Sequence, residues 1–469
     1  MTAPSIVWFR DDLRVSDNPA LHAAAQHGGP IVCLYILDDA SPGIRPLGGA
    51  ARWWLHHSLS SLASSLRDIG LELTLRRGAA AEVIDSVVAD TGAQAVFWNR
   101  RYGEAERTVD AGIKSSLRDA GIEAQSTQAS LLFEPWTVMT GQDAPYRVFT
   151  PFYRSCLAQQ EPRHPLPVDD DVTAFTGVAG DDLADWHLLP TAPDWAGGLR
   201  ESWTPGEATA TKRLRSFLET ELSSYVAEQD LPAQDATSGL SPYLRWGEIS
   251  PFQVWHETRS YVASLDRRTA EGARASEGAS AFLRQLVWRE FSYHLLFHWP
   301  QITHSNMRPA FDDFPWAEPT DVVMEAWQMG RTGIPLVDAG MRELWKTGIM
   351  HNRVRMVVAS FLVKNLRIDW REGERWFWDT LVDADPAANA VNWQWVAGSG
   401  VDAAPYFRVF NPELQATKFD PHREYIRRFV PDIDAETYPP PLVDLKQSRA
   451  AALDAYASIS KDRALGEPG

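Results

Sequence analysis

Cysteine is scarce in this chain: 469 residues carry only Cys33 and Cys156. That excludes a disulfide framework, a cysteine-ligated zinc and a four-cysteine iron–sulfur cluster. Lysine is scarce too, seven of 45 basic residues, so arginine supplies most of the positive charge, and with it the planar fork suited to phosphate and carboxylate. No stretch reaches the roughly 18 consecutive apolar residues of a membrane span. The opening MTAPSIVWFRDDLR lacks the basic-then-apolar pattern of a secretory leader. A cytoplasmic protein with no membrane partner is expected. The first apolar run is followed by RDDLRVSDNPAL, which has neither GxGxxG nor a Walker lysine loop, so a nicotinamide or NTP site has no support.

Tryptophan, by contrast, is abundant: 20 residues, 13 of them between Trp203 and Trp395. The net charge of -17 argues at first against a nucleic-acid partner, because phosphate binding rests on Lys and Arg. The excess acid is unevenly spread, however. Residues 282–430 hold 17 basic and 18 acidic side chains, so a local arginine-rich face is compatible with the total.

Two patterns divide the chain. Over the first 130 residues, runs rich in β-branched and aromatic residues (5–9, 31–37, 71–75, 95–99 and 121–126) alternate with helical periodicity over 52–68, 82–90 and 104–119. Strands alternating with single helices predict an α/β, doubly wound, mainly parallel sheet of Rossmann-like type. Residues 131–205 lose both periodicities and gather Pro, Asp, Gly and Thr, as an interdomain linker would. From 206 to 469 the pattern is helical, and an all-α domain is expected.

Three constellations carry chemistry. His294 and His298, four apart, have zinc-chelating spacing, yet Leu295, Leu296 and Phe297 surround them and no third ligand is near, so no metal is expected. Asp383 and Asp385 form a DxD, which on its own reads either as a cation site of a sugar-nucleotide transferase or as loop-capping aspartates. The segment around them, 383–412, has four charged side chains, closely spaced amides and the indoles Trp393 and Trp395, the makings of a polar-lined aromatic pocket. Upstream, Asn352, Arg355 and Met356 fall on one helical face.

At these residues the sequence resembles the DNA photolyase/cryptochrome family, closest to bacterial cyclobutane pyrimidine dimer photolyases. The resemblance rests on IVWFRDDLRVSDNPAL (6–21), ATSGLSPYLRWGEISP (236–251), LVWREFSYHLL (286–296), MHNRVRM (350–356), DWREGERWF (369–377), WQW (393–395), DAAPYFRVFNP (402–412) and KFDP (418–421). It spans almost the whole chain. It implies an α/β antenna domain, a linker and an all-α domain that binds FAD and UV-damaged DNA as a monomer, with light-driven splitting of a flipped-out dimer by reduced FAD.

The resemblance also assigns residues. Thr237, Ser238, Leu240 and Ser241 match the loop on the flavin pyrophosphate, with Tyr225 closing over it. Arg289, Arg355, Asp383 and Asp385 match further cofactor contacts, and Asn389 the amide facing flavin N5. Trp393, Trp370 and Trp316 match an electron relay to oxidised flavin, and the tryptophans without an assigned role are read as core packing. Trp288 and Trp395 match the pair stacking on the dimer, Gln285, Asn352 and Met356 contacts to it, and Arg353 and Arg408 the phosphate-binding arginines.

Four departures bear on this. Gln285 stands where dimer enzymes usually carry Glu and relatives that repair (6-4) photoproducts carry Gln, whereas Asn352 resembles the dimer enzymes. Gly239 replaces an Arg, and 390–392 a more Gly-rich run, changes expected to loosen the flavin loops. Ala105 replaces the Asn that binds folate in the antenna, leaving a deazaflavin, another pigment or an empty site. The alternatives are (6-4) repair and a cryptochrome-like photoreceptor without repair.

Overall fold

The computed structural model describes residues 3–169, 171–402 and 407–465, and side chains as far as 459. Five strands, β1 (Ser5–Phe9), β2 (Pro30–Leu37), β3 (Leu73–Arg77), β4 (Ala95–Asn99) and β5 (Glu123–Thr127), form a parallel sheet in the order β3-β2-β1-β4-β5. A two-residue strand, β6 (Thr173–Ala174), adds to β2. Crossover helices α1 (Pro19–His27), α2 (Gly49–Asp68), α3 (Ala80–Thr91) and α4 (Glu104–Asp119) separate the five strands. Val7 pairs with Cys33 on one side and Phe97 on the other. β1 and β4 are buried along their whole length because helices cover both faces, which is why their sequences run apolar rather than alternating.

The expected strand 71–75 starts two residues late. Leu71 is fully buried, but it follows the positive-φ Gly70 and donates to Leu66 O at the end of α2, so it plugs the core before the strand begins. The linker differs more. It contains a helix, α5 (Phe149–Ala158), whose buried Phe149 and Phe152 pack on Phe291. Phe149 also lies parallel to Trp288 at 3.5 Å.

The second half is helical: α6 (Gly197–Ser202), α7 (Glu207–Thr220), α8 (Tyr225–Glu228), α9 (Ser241–Arg245), α10 (Pro251–Ser264), α11 (Ala270–His298), α12 (Asp321–Gln328), α13 (Pro335–Thr347), α14 (Asn352–Ser360), α15 (Trp370–Thr380), α16 (Ala388–Ala397), α17 (Pro412–Phe419), α18 (Glu424–Phe429) and α19 (Leu445–Leu465). None of them is long and apolar enough to cross a membrane among the described residues. A core of Trp327, Met341, Val354, Phe361, Trp370 and Trp393 joins α12 to α16.

The loop after β1, where a nucleotide-binding sheet would cradle phosphates, is taken up by docking the two halves. Leu13 N donates to Trp246 O (3.1 Å), Arg14 to Gly247 O (2.8 Å), and Val15 N and Ser16 N to the Glu207 carboxylate (2.8 and 2.9 Å). In the same interface Trp54 Nε1 donates to Glu248 (3.3 Å), and burial pushes that carboxyl up to about 8. The unfolded chain releases the proton near pH 4.5 and the folded one near 8, so this group's stabilisation is lost as pH rises through that window. Glu248→Gln cannot ionise and is expected to remove the part of the stability loss between pH 5 and 8 that this group causes, on the order of a few kcal/mol at about 1.4 per pKa unit, seen as a flatter profile of melting temperature against pH. An unchanged pH profile in thermal melts would refute the assignment.

Candidate functional site

The site is built around the loop that ends α15 and opens α16. Asp383 accepts from Arg355 Nη2 on both oxygens (2.9 and 3.1 Å) and from the Ser241 hydroxyl (2.7 Å), tying α14 and α9 to this loop. Arg355 is held from behind by Met350 O (2.7 Å). Two residues on, Asp385 caps α16 by accepting from Ala387 N and Ala388 N (2.9 and 2.7 Å), while its other oxygen accepts from Tyr293 OH (2.8 Å). The DxD is thus spent on an ion pair, a cap and a tyrosine.

Asn389, in the first turn of α16, donates from Nδ2 to Glu374 Oε1 (2.8 Å) and Glu374 O (3.1 Å) on α15. Its Oδ1 takes no hydrogen bond among the described residues. Tyr225 is buried against Phe217 and Phe282, and that burial raises its hydroxyl to about 12. Thr237 is exposed and Ser238 partly so, just ahead of buried Leu240 and the start of α9. Arg289 points elsewhere, donating to Ser130 O (2.5 Å) just ahead of the linker.

Trp393 and Trp395, two residues apart on a helix, face different sides, so they do not line one pocket. Trp393 is 3% exposed and packs edge-on against Phe377 at 4.9 Å. It fits because Gly373 lies above its six-membered ring, where any Cβ would collide with it. Trp370, one turn before Gly373, is fully buried with Nε1 on Asn306 Oδ1 (2.9 Å), and half-buried Trp316 packs on Phe314 at 4.4 Å. Trp395 instead donates to Asp402 O (3.0 Å), and Asp402 also accepts from Phe149 N (3.2 Å), next to the Phe149–Trp288 stack. Gln285 and Asn352 are exposed, Met356 half-buried, and Arg408 exposed above Phe410 at 5.7 Å. Residues 403–406 of the DAAPYFRVFNP motif lie outside the described residues.

Residues 5–170 match the family model described as DNA photolyase, and residues 282–436 the one described as FAD binding domain of DNA photolyase. A deoxyribodipyrimidine photo-lyase of Agrobacterium fabrum is 47% identical over 98% of this chain and 99% of its own length. The chain belongs to the DNA photolyase/cryptochrome family. The solved structure of a bacterial class III photolyase from Agrobacterium tumefaciens superposes with a TM-score of 0.93 at 47% identity, covering 98% of both chains. Cryptochrome-1 of Arabidopsis thaliana is 38% identical over 92% of this chain, which spans 63% of that relative's length.

Against the family pattern, five features were not legible in sequence. The Gly239 substitution does not leave a loose loop: Gly239 adopts φ +58°, and the Arg213 guanidinium from α7 fills the space beside it while Nε donates to Ser238 O (2.8 Å). Arg353 is already paired, with Nη2 on Asp230 (2.6 Å) and its plane over Phe419. Trp345 is no core residue; it is 48% exposed and stacks on half-buried Trp376 at 6.1 Å and 9°. Glu374 carries no motif signal apart from its place in DWREGERWF, yet it is buried and holds Asn389. His294 and His298 bond the linker backbone: both rings contact Pro135 O, and His294 Nε2 accepts from Tyr146 N, burial lowering the His294 pKa to about 4.

Proposed function

We propose that the chain is a cytoplasmic, light-dependent DNA-repair lyase that binds one FAD non-covalently and splits a cyclobutane pyrimidine dimer flipped out of UV-damaged DNA. The observation that carries this reading is a division by burial. Of the side chains assigned to the flavin, Tyr225, Asp383, Asp385 and Asn389 are buried, whereas Gln285, Asn352 and Arg408, assigned to DNA, are exposed. The residues present suit a flavin: Asn389 keeps a carbonyl acceptor without a protein donor among the described residues, and Thr237 and Ser238 present hydroxyls ahead of α9. Bound and reduced, FAD supplies the light-excited electron for the splitting.

The protein's part is positioning. Tyr225, Thr237, Ser238, Leu240 and Ser241 hold the pyrophosphate end, and Arg355 with Asp383 the ring end. Asp385 and Arg289 act at one remove, through α16 and the linker. Trp288 offers the dimer the face that Phe149 leaves uncovered, with Trp395, Gln285, Asn352 and Met356 around it. Trp316, Trp370 and Trp393 form a surface-to-core relay for reducing electrons. The working domains are 1–130, 131–205 and 206–469, and with Ala105 in place of the folate-binding Asn the antenna position is assigned a deazaflavin, another pigment or none rather than folate.

Arg353 and Arg408 are assigned to phosphates, which position DNA without reading sequence. Since Asp230 occupies Arg353, Asp230→Asn is expected to tighten DNA binding about threefold, the scale of an exposed ion pair worth up to about 1 kcal/mol. It should also steepen the salt dependence by about one counterion. Fluorescence anisotropy across a salt series checks this; an identical slope would remove Arg353 from the phosphate set.

The functional test uses reduced protein and duplex oligonucleotides bearing one defined lesion, in blue light and in darkness. Light-dependent loss of the cyclobutane dimer alone is the expected result. Loss of a (6-4) product instead would overturn the lesion assignment, and no repair by a flavin-loaded protein would move the function to a photoreceptor.

A further inference from the structure

The segment between β2 and α2 leaves the sheet and lands on α15. Trp378 Nε1 donates to Pro46 O (2.9 Å), Gly49 N donates to Asp379 Oδ1 (2.8 Å), and Gly48 lies so close to the Trp378 carbonyl that no Cβ fits. This docking sets Arg45 over the Trp378 ring, 4.1 Å from its centroid. From there Arg45 Nη1 and Nη2 grip the two oxygens of Glu374 at 2.7 and 2.9 Å, a bidentate pair. Glu374 is only 4% exposed, and Arg45 is the one cation paired with it among the described residues. Glu374 in turn takes the Asn389 amide nitrogen twice, on Oε1 and on its own backbone oxygen. A side chain of the α/β half therefore reaches, through one carboxylate, the amide assigned to flavin N5.

An amide whose N–H groups are committed can only accept elsewhere. Reduced flavin carries hydrogen on N5 and donates; oxidised flavin has a lone pair there and does not. We propose that Arg45 is a positioning residue for the flavin: it holds the Glu374 carboxylate in place, Glu374 keeps both Asn389 N–H groups, and the Asn389 carbonyl is thereby fixed as the acceptor that favours the reduced cofactor. This rests on the flavin reading of the site given above. Without the guanidinium, a buried carboxylate with no cation turns toward water. With Glu374 turned away the amide is free to rotate, and its NH2 then favours the oxidised ring.

The test is the midpoint potential of FAD bound to the full-length chain, with FAD stoichiometry and melting temperature measured on the same samples. Arg45→Leu is expected to bind FAD in full yet lower the reduced-to-oxidised ratio at a fixed potential about tenfold, a shift of about 30 mV for two electrons. Arg45→Lys, which restores a cation, should recover part of that shift. Asp379→Ala, which removes one exposed contact with Gly49 N and leaves the Pro46–Trp378 and Arg45–Glu374 contacts in place, should leave the potential at the wild-type value. Should Arg45→Leu fail to fold, Arg45→Gln replaces it with the same expectation. A wild-type potential in flavin-loaded Arg45→Leu, or an equal shift in Asp379→Ala, overturns the proposal. A wild-type chain that binds no FAD overturns the cofactor reading instead, and the stoichiometry separates the two failures.

Discussion

Replacing Asp383 by Asn is expected to strip FAD from the protein. The carboxylate is 4% exposed and is the shared acceptor of Arg355 and the Ser241 hydroxyl, so it joins the helix assigned to the ring end with the one assigned to the pyrophosphate end. Asparagine keeps one acceptor and adds two donors, and those donors face a guanidinium. Removing one partner of a buried pair costs about 3–5 kcal/mol, and because Arg355 is 24% exposed and reached by water the cost here is about 2–3 kcal/mol. Bound flavin per mole of protein should fall below a tenth of wild type, with a lower melting temperature. Full flavin content with an unchanged melt would remove Asp383 from the cofactor site.

The second large effect concerns Trp393. Trp393→Phe is expected to abolish light-driven reduction of oxidised flavin by an external reductant, while protein reduced chemically keeps its repair rate. An indole gives up an electron far more readily than a phenyl ring, whereas their packing is similar. Phenylalanine fills most of the slot between Gly373 and Phe377, so the fold should survive with a loss of about 1–2 kcal/mol, below the 3–5 kcal/mol of a truncation to alanine. Photoreduction by flash absorption and repair by reduced enzyme are the two readouts. Loss of both would show that Trp393 shapes the site rather than relaying electrons.

Much of the fold was legible because its signals are local. The strands at 5–9 and 95–99 and the helix at 104–119 coincide with β1, β4 and α4, since apolar runs and three-to-four spacing are set by backbone period. Helix α5 was missed for the opposite reason. FTPFYRSCLA is short and has no capping side chain, so its stability comes from Phe149 and Phe152 meeting α11 rather than from its own pattern. The site was legible in part. Arg355 and Asp383 are brought together as the family pattern implies, while Trp345 and Trp376 stack at the surface rather than in the core.

By itself the sequence determined element types, their order, and the family to which the motifs point, because period, caps and motif spacing act over a few residues. Only the tertiary structure decided the partners. That Arg45 holds Glu374, that Asp230 holds Arg353 and that Arg213 fills the space beside Gly239 depends on which surfaces meet once the two halves dock and the helices pack. A charge in the sequence states what it can bind; the fold selects which of many eligible carboxylates and carbonyls stands within 3 Å of it.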